Sequence, residues 1–290
     1  MRVAQFLRES AVALAKAGVD TPEIDAQLLL GHCLTKSRTG LYLAAEEQLS
    51  ESSLEICSTL IARRIKREPL AYIIGAQEFW SLDFHVTTDV LIPRPETEFL
   101  LEQVIHFNKK DPIEDGILVD LCCGSGAIAV VLAKELNKPV LAIDISWEAL
   151  CVAHKNCVQH GVSHLVTLLH SDLLSAVLPQ PCLSCVVSNP PYVSQESIQE
   201  GLQPEVAIYE PHLALDGGKK GMEIITKICE QLQSRLLPGG HLFMEIGTEQ
   251  GEDVSNLFAE QKTTEKFFDE VAVRKDYAGH DRIFYTKFKK

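Results

Sequence analysis

The stretch "VDLCCGSG", residues 119–126, closes a short apolar run on a Gly-x-Gly turn, and residues 127–135 beyond it are mostly apolar. A strand that turns through glycines into a helix is the unit from which parallel sheets with helices on both faces are built. The chain after Asp115 repeats that alternation. Candidate strands are 117–121, 140–143, 165–169, 182–188 and 241–246, with candidate helices at 127–135, 147–160, 221–236 and 250–260. Two further strands, 268–274 and 283–288, are joined only by the loop 275–281, which predicts an antiparallel hairpin at one sheet edge. The expected fold is α/β, a doubly wound, seven-stranded and mostly parallel sheet with a C-terminal antiparallel hairpin.

Upstream the period changes. Val3, Phe6, Leu7, Ala11, Leu14 and Ala15 form one apolar stripe that stops at Gly18. Asp20-Thr-Pro-Glu23 is a helix start, with a capping residue, a first-turn proline and acids at the positive end of the dipole. Further helices are expected at 41–46 and 50–66. Residues 1–75 thus read as an N-terminal helical bundle domain without a catalytic constellation, and the basic run Arg63-Arg-Ile-Lys-Arg67 reads as a solvated helix end. Short aromatic and branched runs at 71–75 and 78–86 predict a hairpin linker over 76–97. Thr97 or Glu96 is expected to cap the helix 99–107, and residues 98–290 form the remaining domain.

Composition excludes several classes. No apolar stretch reaches membrane-spanning length, and the N-terminus carries charges through its apolar positions, so it is no signal peptide. A cytoplasmic location is the expectation. The nine cysteines are scattered; only Cys182 and Cys185 have a paired ligand-like spacing, and they fall inside a strand, while adjacent Cys122 and Cys123 read equally as small buried groups. The histidines show no paired ligand spacing, so no metal is expected. The net charge of −13 disfavours a nucleic-acid substrate, which calls for a basic face, and suits a basic protein partner.

In the glycine turn, Gly124 and Gly126 let backbone approach a ligand, and the helix N-terminus behind them favours an anionic group. Asp144 ends the second strand, where a doubly wound fold places the acid that holds a ribose. The third glycine of the dinucleotide fingerprint is missing, which disfavours NAD. S-adenosylmethionine fits better: one nucleoside for Asp144, and a methionine carboxylate for the turn Cys122-Cys-Gly-Ser-Gly126. Asp172, just past the third strand, is a candidate for the adenine amino group or simply a turn cap.

The fourth strand ends oddly, in Ser188-Asn-Pro-Pro-Tyr192. Asn and Pro are common at strand-ending turns, but here the turn faces the same crevice as the glycines. An amide or aromatic NH2 is a poor nucleophile because its lone pair is delocalised. Asn189 Oδ1 and the Pro190 carbonyl can accept its two N–H bonds, and Tyr192 can pack on its plane. Positioning of this kind is worth up to ~7–11 kcal/mol.

This tetrapeptide with the upstream glycine turn resembles the amino-methyltransferases, whose acceptors are DNA, RNA or protein NH2 groups. Glu68-Pro-Leu-Ala-Tyr72, Gly75, Pro93-Arg-Pro-Glu-Thr-Glu98, Glu210-Pro-His-Leu-Ala-Leu215, Gly217-Gly218 and Lys275-Asp-Tyr-Ala-Gly-His-Asp-Arg282 narrow it. Across essentially the whole chain the sequence is similar to the release-factor glutamine methyltransferase family (HemK/PrmC). The resemblance implies the seven-stranded S-adenosylmethionine-dependent methyltransferase fold, a substrate-docking role for residues 1–75, and methyl transfer to the Gly-Gly-Gln glutamine of peptide chain release factors. It assigns cofactor binding to Cys122, Cys123, Gly124, Ser125, Gly126, Asp144, Asp172, Leu173 and Asn189. Substrate contacts fall to Asn189, Pro190, Pro191 and Tyr192, with Asn189, Pro190 and Tyr192 catalytic. Arg94 and Glu98 lie near the crevice in the family, with a structural role open for Arg94. Two positions depart from the pattern: Cys122-Cys123, where a glycine and a small polar residue are common, and Leu173, often aromatic.

Overall fold

The computed structural model describes residues 1–113, 116–259 and 267–289. The chain forms two compact units, Met1–Ala76 with Gln203–Tyr209, and Gln77–Leu202 with Glu210–Lys290.

The first unit contains helices α1 (Val3–Lys16), α2 (Pro22–Leu34), α3 (Arg38–Leu43), α4 (Glu51–Ile65) and α5 (Leu70–Ile74). Their apolar faces meet in a core that includes Phe6, Leu14, Leu29, Leu30, Leu41 and Ile61. Ser37 and Ser50 cap α3 and α4 by accepting the backbone N–H three residues on. Two sequence expectations change here. Residues 70–74 are helical rather than extended, ending on Gly75 in the left-handed region at φ 79°. The basic run is not a solvated end, because Arg64 is buried. Its Nε donates to Asp25 Oδ2 at 2.7 Å and its Nη1 to Glu205 Oε1 at 2.8 Å. Arg67 grips Glu205 with two further bonds of 2.6 Å each. Glu205 lies on α10 (Pro204–Tyr209), so these arginines are what draw that short segment into this unit.

The chain next forms a hairpin, β1 (Ala76–Phe79) and β2 (Leu82–His85), which lies in the second unit from Gln77 on and is turned through Trp80 and Ser81, both at φ 56°. Paired positive φ values match the right-handed twist of the flanking strands. Helix α6 (Pro95–Lys110) follows, starting earlier than the sequence suggests; proline occupies its first turn, and no side chain caps it. The sheet comprises β3 (Ile117–Leu121), β4 (Val140–Asp144), β5 (Val166–His170), β6 (Leu183–Ser188), β7 (Leu236–Glu245), β8 (Phe268–Lys275) and β9 (Asp281–Phe288). Its order is β5-β4-β3-β6-β7-β9-β8, parallel except where β9 runs against β7 and β8. This is the expected doubly wound sheet with its antiparallel edge. The interleaved helices are α7 (Ala127–Leu136), α8 (Trp147–Gln159), α9 (Gln195–Glu200), α11 (Glu223–Leu232) and α12 (Gly251–Ala259). The expected helix over 221–236 stops at Leu232, because Leu236 already pairs with Leu183 as the start of β7. Glu260, the expected end of α12, lies outside the described residues.

The strand order reverses between β3 and β6, which pair in parallel with Leu121 opposite Ser188. Ligands of open α/β sheets bind outside the carboxyl ends of the strands at such a point. Ser188 is fully buried, and its hydroxyl donates to the Leu121 carbonyl at 2.7 Å. That bond fastens the start of the glycine turn to the start of the Asn-Pro-Pro-Tyr segment.

Candidate active site

A cavity opens at this reversal point. Cys122, Cys123, Gly124 and Ser125 supply one wall, Asp144 another, Asp172 and Leu173 a third, and Asn189 with Pro191 a fourth. Nine of the residues singled out by sequence therefore converge here. Gly126, Pro190 and Tyr192 do not line the cavity. Gly126 has a packing reason to be glycine: at φ 76°, an added Cβ would stand 2.9 Å from the Ala153 Cβ on α8. Pro190 is buried, and no donor among the described residues reaches its carbonyl. The Tyr192 hydroxyl points to β7, donating to Glu245 Oε1 at 2.9 Å.

The turn is held from the next strand. Asp144 Oδ2 accepts from Gly124 N at 2.8 Å and Oδ1 from Ser146 N at 2.9 Å. Burial nevertheless raises its pKa, and the backbone N–H bonds oppose that rise. Gly124 sits at φ 52°, and a Cβ built there meets no atom within 4 Å. The backbone is thus bare toward open space, a cradle that a ligand can approach closely. Cys122 at φ 62° and Leu173 at φ 49° hold left-handed conformations without being glycine, and both line the cavity. Strained non-glycine backbone is tolerated only where the surroundings over-determine it, and it clusters at ligand sites. Burial pushes both the Cys122 and Cys123 thiols up, so they remain uncharged packing groups. The residues present fit an adenosine sulfonium: a bare glycine turn, a carboxylate at the end of β4, and apolar Ile145, Ala149 and Leu173 around it.

Beneath the turn lies Asp120, fully buried, with Oδ2 accepting from Ala129 N at 2.9 Å and Oδ1 without a partner among the described residues. Burial pushes its pKa to about 8.

Four residues that sequence reasoning placed elsewhere, or not at all, complete the site. Thr97 does not cap α6. Its hydroxyl donates to Glu245 Oε2 at 2.8 Å and accepts from Asn189 Nδ2 at 3.1 Å. Glu245 ends β7 inside an apolar run, where nothing but its position marks it, and burial raises its pKa. Gln250 clamps the tetrapeptide's exit, its Nε2 donating to the Tyr192 carbonyl at 3.0 Å. Asn156 on α8 is fully buried and bonds to both His85 and Ser125, tying the hairpin to the glycine turn. Gly217 and Gly221 also gain a reason. A Cβ at Gly217 would stand 2.8 Å from the Pro191 carbonyl oxygen, and one at Gly221 would stand 2.1 Å from that of Tyr192. Arg94 lines the cavity while its Nη2 donates to Glu210 Oε1 at 2.6 Å, and Glu98 accepts from Trp80 N at 2.7 Å.

The chain is similar to known proteins over most of its length. Residues 5–75 match the model of the PrmC N-terminal domain, and residues 95–218 match that of the methyltransferase small domain. The release factor glutamine methyltransferase of Moorella thermoacetica is 40% identical over 285 residues, 98% of each chain. That of Nitratidesulfovibrio vulgaris is 38% identical over 283 residues, 97% of this chain and 94% of its own. Among solved structures, the catalytic domain of hMettl16 in complex with a MAT2A 3′UTR hairpin superposes with a TM-score of 0.55 at 16% identity. The match covers 85% of this chain and 84% of that one, a likeness of fold alone.

Proposed function

The chain belongs to the release factor glutamine methyltransferase family, and we propose that it methylates the side-chain amide nitrogen (N5) of the glutamine in the Gly-Gly-Gln motif of class I peptide chain release factors. The proposed location is the cytoplasm and the consequence a modulation of translation termination, with no direct nucleic-acid substrate. Among the described residues no helix is long and apolar enough to cross a membrane. The donor is S-adenosylmethionine, which when bound supplies an electrophilic methyl group on sulfur.

The observation that carries this reading is the direction of the Asn189 amide. Its Nδ2 is committed to Thr97, so Oδ1 is the polar atom it offers the cavity, beside the bare backbone of Gly124. We assign Cys122 through Gly126, Asp144, Asp172 and Leu173 to holding the cofactor, and Asn189 to both ligands. Asn189 Oδ1 and the Pro190 carbonyl accept the two N–H bonds of the glutamine amide, while Pro191 and Tyr192 limit its tilt. The amide plane is then fixed, and its nitrogen would be the acceptor of the methyl group. Transfer would form a nitrogen–carbon bond in exchange for the donor's sulfur–carbon bond, with one proton leaving the nitrogen. Holding two groups in reactive alignment is a large catalytic effect in itself, and no strong base has to act before transfer.

Incubation with methyl-labelled cofactor and, separately, purified release factor, DNA and rRNA tests the assignment. Label is expected on the release factor, at the glutamine by peptide mass mapping. Label entering only nucleic acid would overturn it.

A further inference from the structure

Asn189 orients an incoming NH2 only if its own amide stays one way round, and the two ends of an asparagine amide differ little in shape. The structure removes that freedom through a buried hydrogen-bond chain. Glu245 is 1% exposed and takes one bond on each carboxylate oxygen, from Tyr192 Oη and from Thr97 Oγ1. A hydroxyl carries a single proton. Thr97 places its proton on Glu245 and therefore meets Asn189 only as an acceptor, which draws Nδ2 inward and turns Oδ1 outward. The links come from α6, the end of β6 and β7, with Thr97 92 positions from Asn189 and 148 from Glu245.

We infer that Thr97 and Glu245 are positioning residues for methyl transfer: the direction of their hydrogen bonds holds the Asn189 amide with its oxygen toward the acceptor NH2 and anchors Tyr192 beside it. The identity of that NH2 rests on the function proposed above; the direction of the chain does not. Valine in place of Thr97 keeps the shape and deletes the acceptor, freeing the Asn189 amide to turn over. Glutamine in place of Glu245 brings an NH2 between two hydroxyl donors, so that Thr97 or Tyr192 must reverse.

The test uses the full-length protein and release factor, reading kcat, KM, binding of S-adenosylhomocysteine by calorimetry, and melting temperature. Thr97→Val is expected to lower kcat about 100-fold, the size of effect that small misplacements produce, with KM and S-adenosylhomocysteine binding unchanged. Thr97→Ser, which keeps the hydroxyl, is expected to restore kcat. The double variant Thr97→Val/Asn189→Ala should be no slower than Asn189→Ala alone, because Thr97 acts through Asn189. Glu245→Gln carries the test if Thr97→Val fails to fold, with the same loss in kcat and none in S-adenosylhomocysteine binding. Wild-type kcat in the folded variants, or losses that multiply in the double variant, would overturn the inference. Should the wild type methylate DNA or rRNA instead, the functional reading fails while the same kcat comparison, run on that acceptor, still decides the positioning role. A wild type inactive on all three acceptors overturns both.

Discussion

Two buried polar networks, one in each unit, use carboxylates in opposite ways. In the helical unit, Asp25 and Glu205 are matched by Arg64 and Arg67, charge against charge. In the catalytic unit, Glu245 forms no ion pair among the described residues; burial raises its pKa, and the bonds from two neutral hydroxyls, with a smaller contribution from the more distant Arg282, favour its charged form. Ion pairs bind strongly but tell the partner nothing about which end of an amide should face it. A line of hydroxyls does, because each has one proton to give. The first network suits holding a segment in place and the second suits aiming a group, a division of labour that substitution can break.

The largest effect is expected in the charged network. Arg64→Ala leaves Asp25 and part of Glu205 buried without their cation, which typically costs ~3–5 kcal/mol. Urea unfolding followed by a probe in the helical unit would show it, and an unchanged midpoint would mean that the pairs contribute nothing net. In the aiming network, Asn189→Ala should reduce kcat by ~10²–10³-fold, as removal of one oriented polar group in an active site does. S-adenosylhomocysteine binding should weaken far less than kcat falls, because the other residues assigned to the cofactor remain, and full turnover would refute the positioning mechanism. Tyr192→Phe withdraws one of the two donors from Glu245. A loss of ~1–3 kcal/mol in stability is expected from the under-satisfied buried carboxylate, measured by thermal unfolding against Tyr285→Phe as a control outside this hydrogen-bond chain.

Asp120 sharpens the comparison further, having neither a cation nor a second donor among the described residues. Its carboxyl is raised from 3.8 to about 8, with burial as the main cause. A raised acid is favoured by the fold in its neutral form, so its contribution to stability is complete below about pH 4. That contribution is lost as pH rises through about 8. Wild type should therefore lose stability relative to Asp120→Asn between about pH 4 and about pH 8, a difference that parallel melts would detect. Equal slopes would mean that Asp120 is charged in the folded protein.

Much of this was legible in the sequence because it is local. The turn at Gly124 and Gly126, the acid ending β4 and the prolines after Asn189 are short patterns imposed by backbone geometry, and the alternation of apolar segments revealed the sheet. Thr97 was misread for the same reason. Near the start of a helix it looks like a cap, and only the approach of β7 reveals its partner. Glu245 was invisible, since one acid at the end of a strand has no periodic signature. Arg64 and Arg67 looked solvated because their partner Glu205 lies 141 and 138 residues away.

The amino-acid order alone thus determined the seven-stranded doubly wound sheet, the glycine turn, the Asn-Pro-Pro-Tyr segment and the family, since each is written in consecutive residues or in a regular period. Tertiary structure alone decided which way the Asn189 amide faces, what anchors Tyr192, and why Gly217 and Gly221 carry no side chain. Those outcomes depend on atoms brought together from distant parts of the chain, and hydrogen-bond direction exists only once donor and acceptor meet.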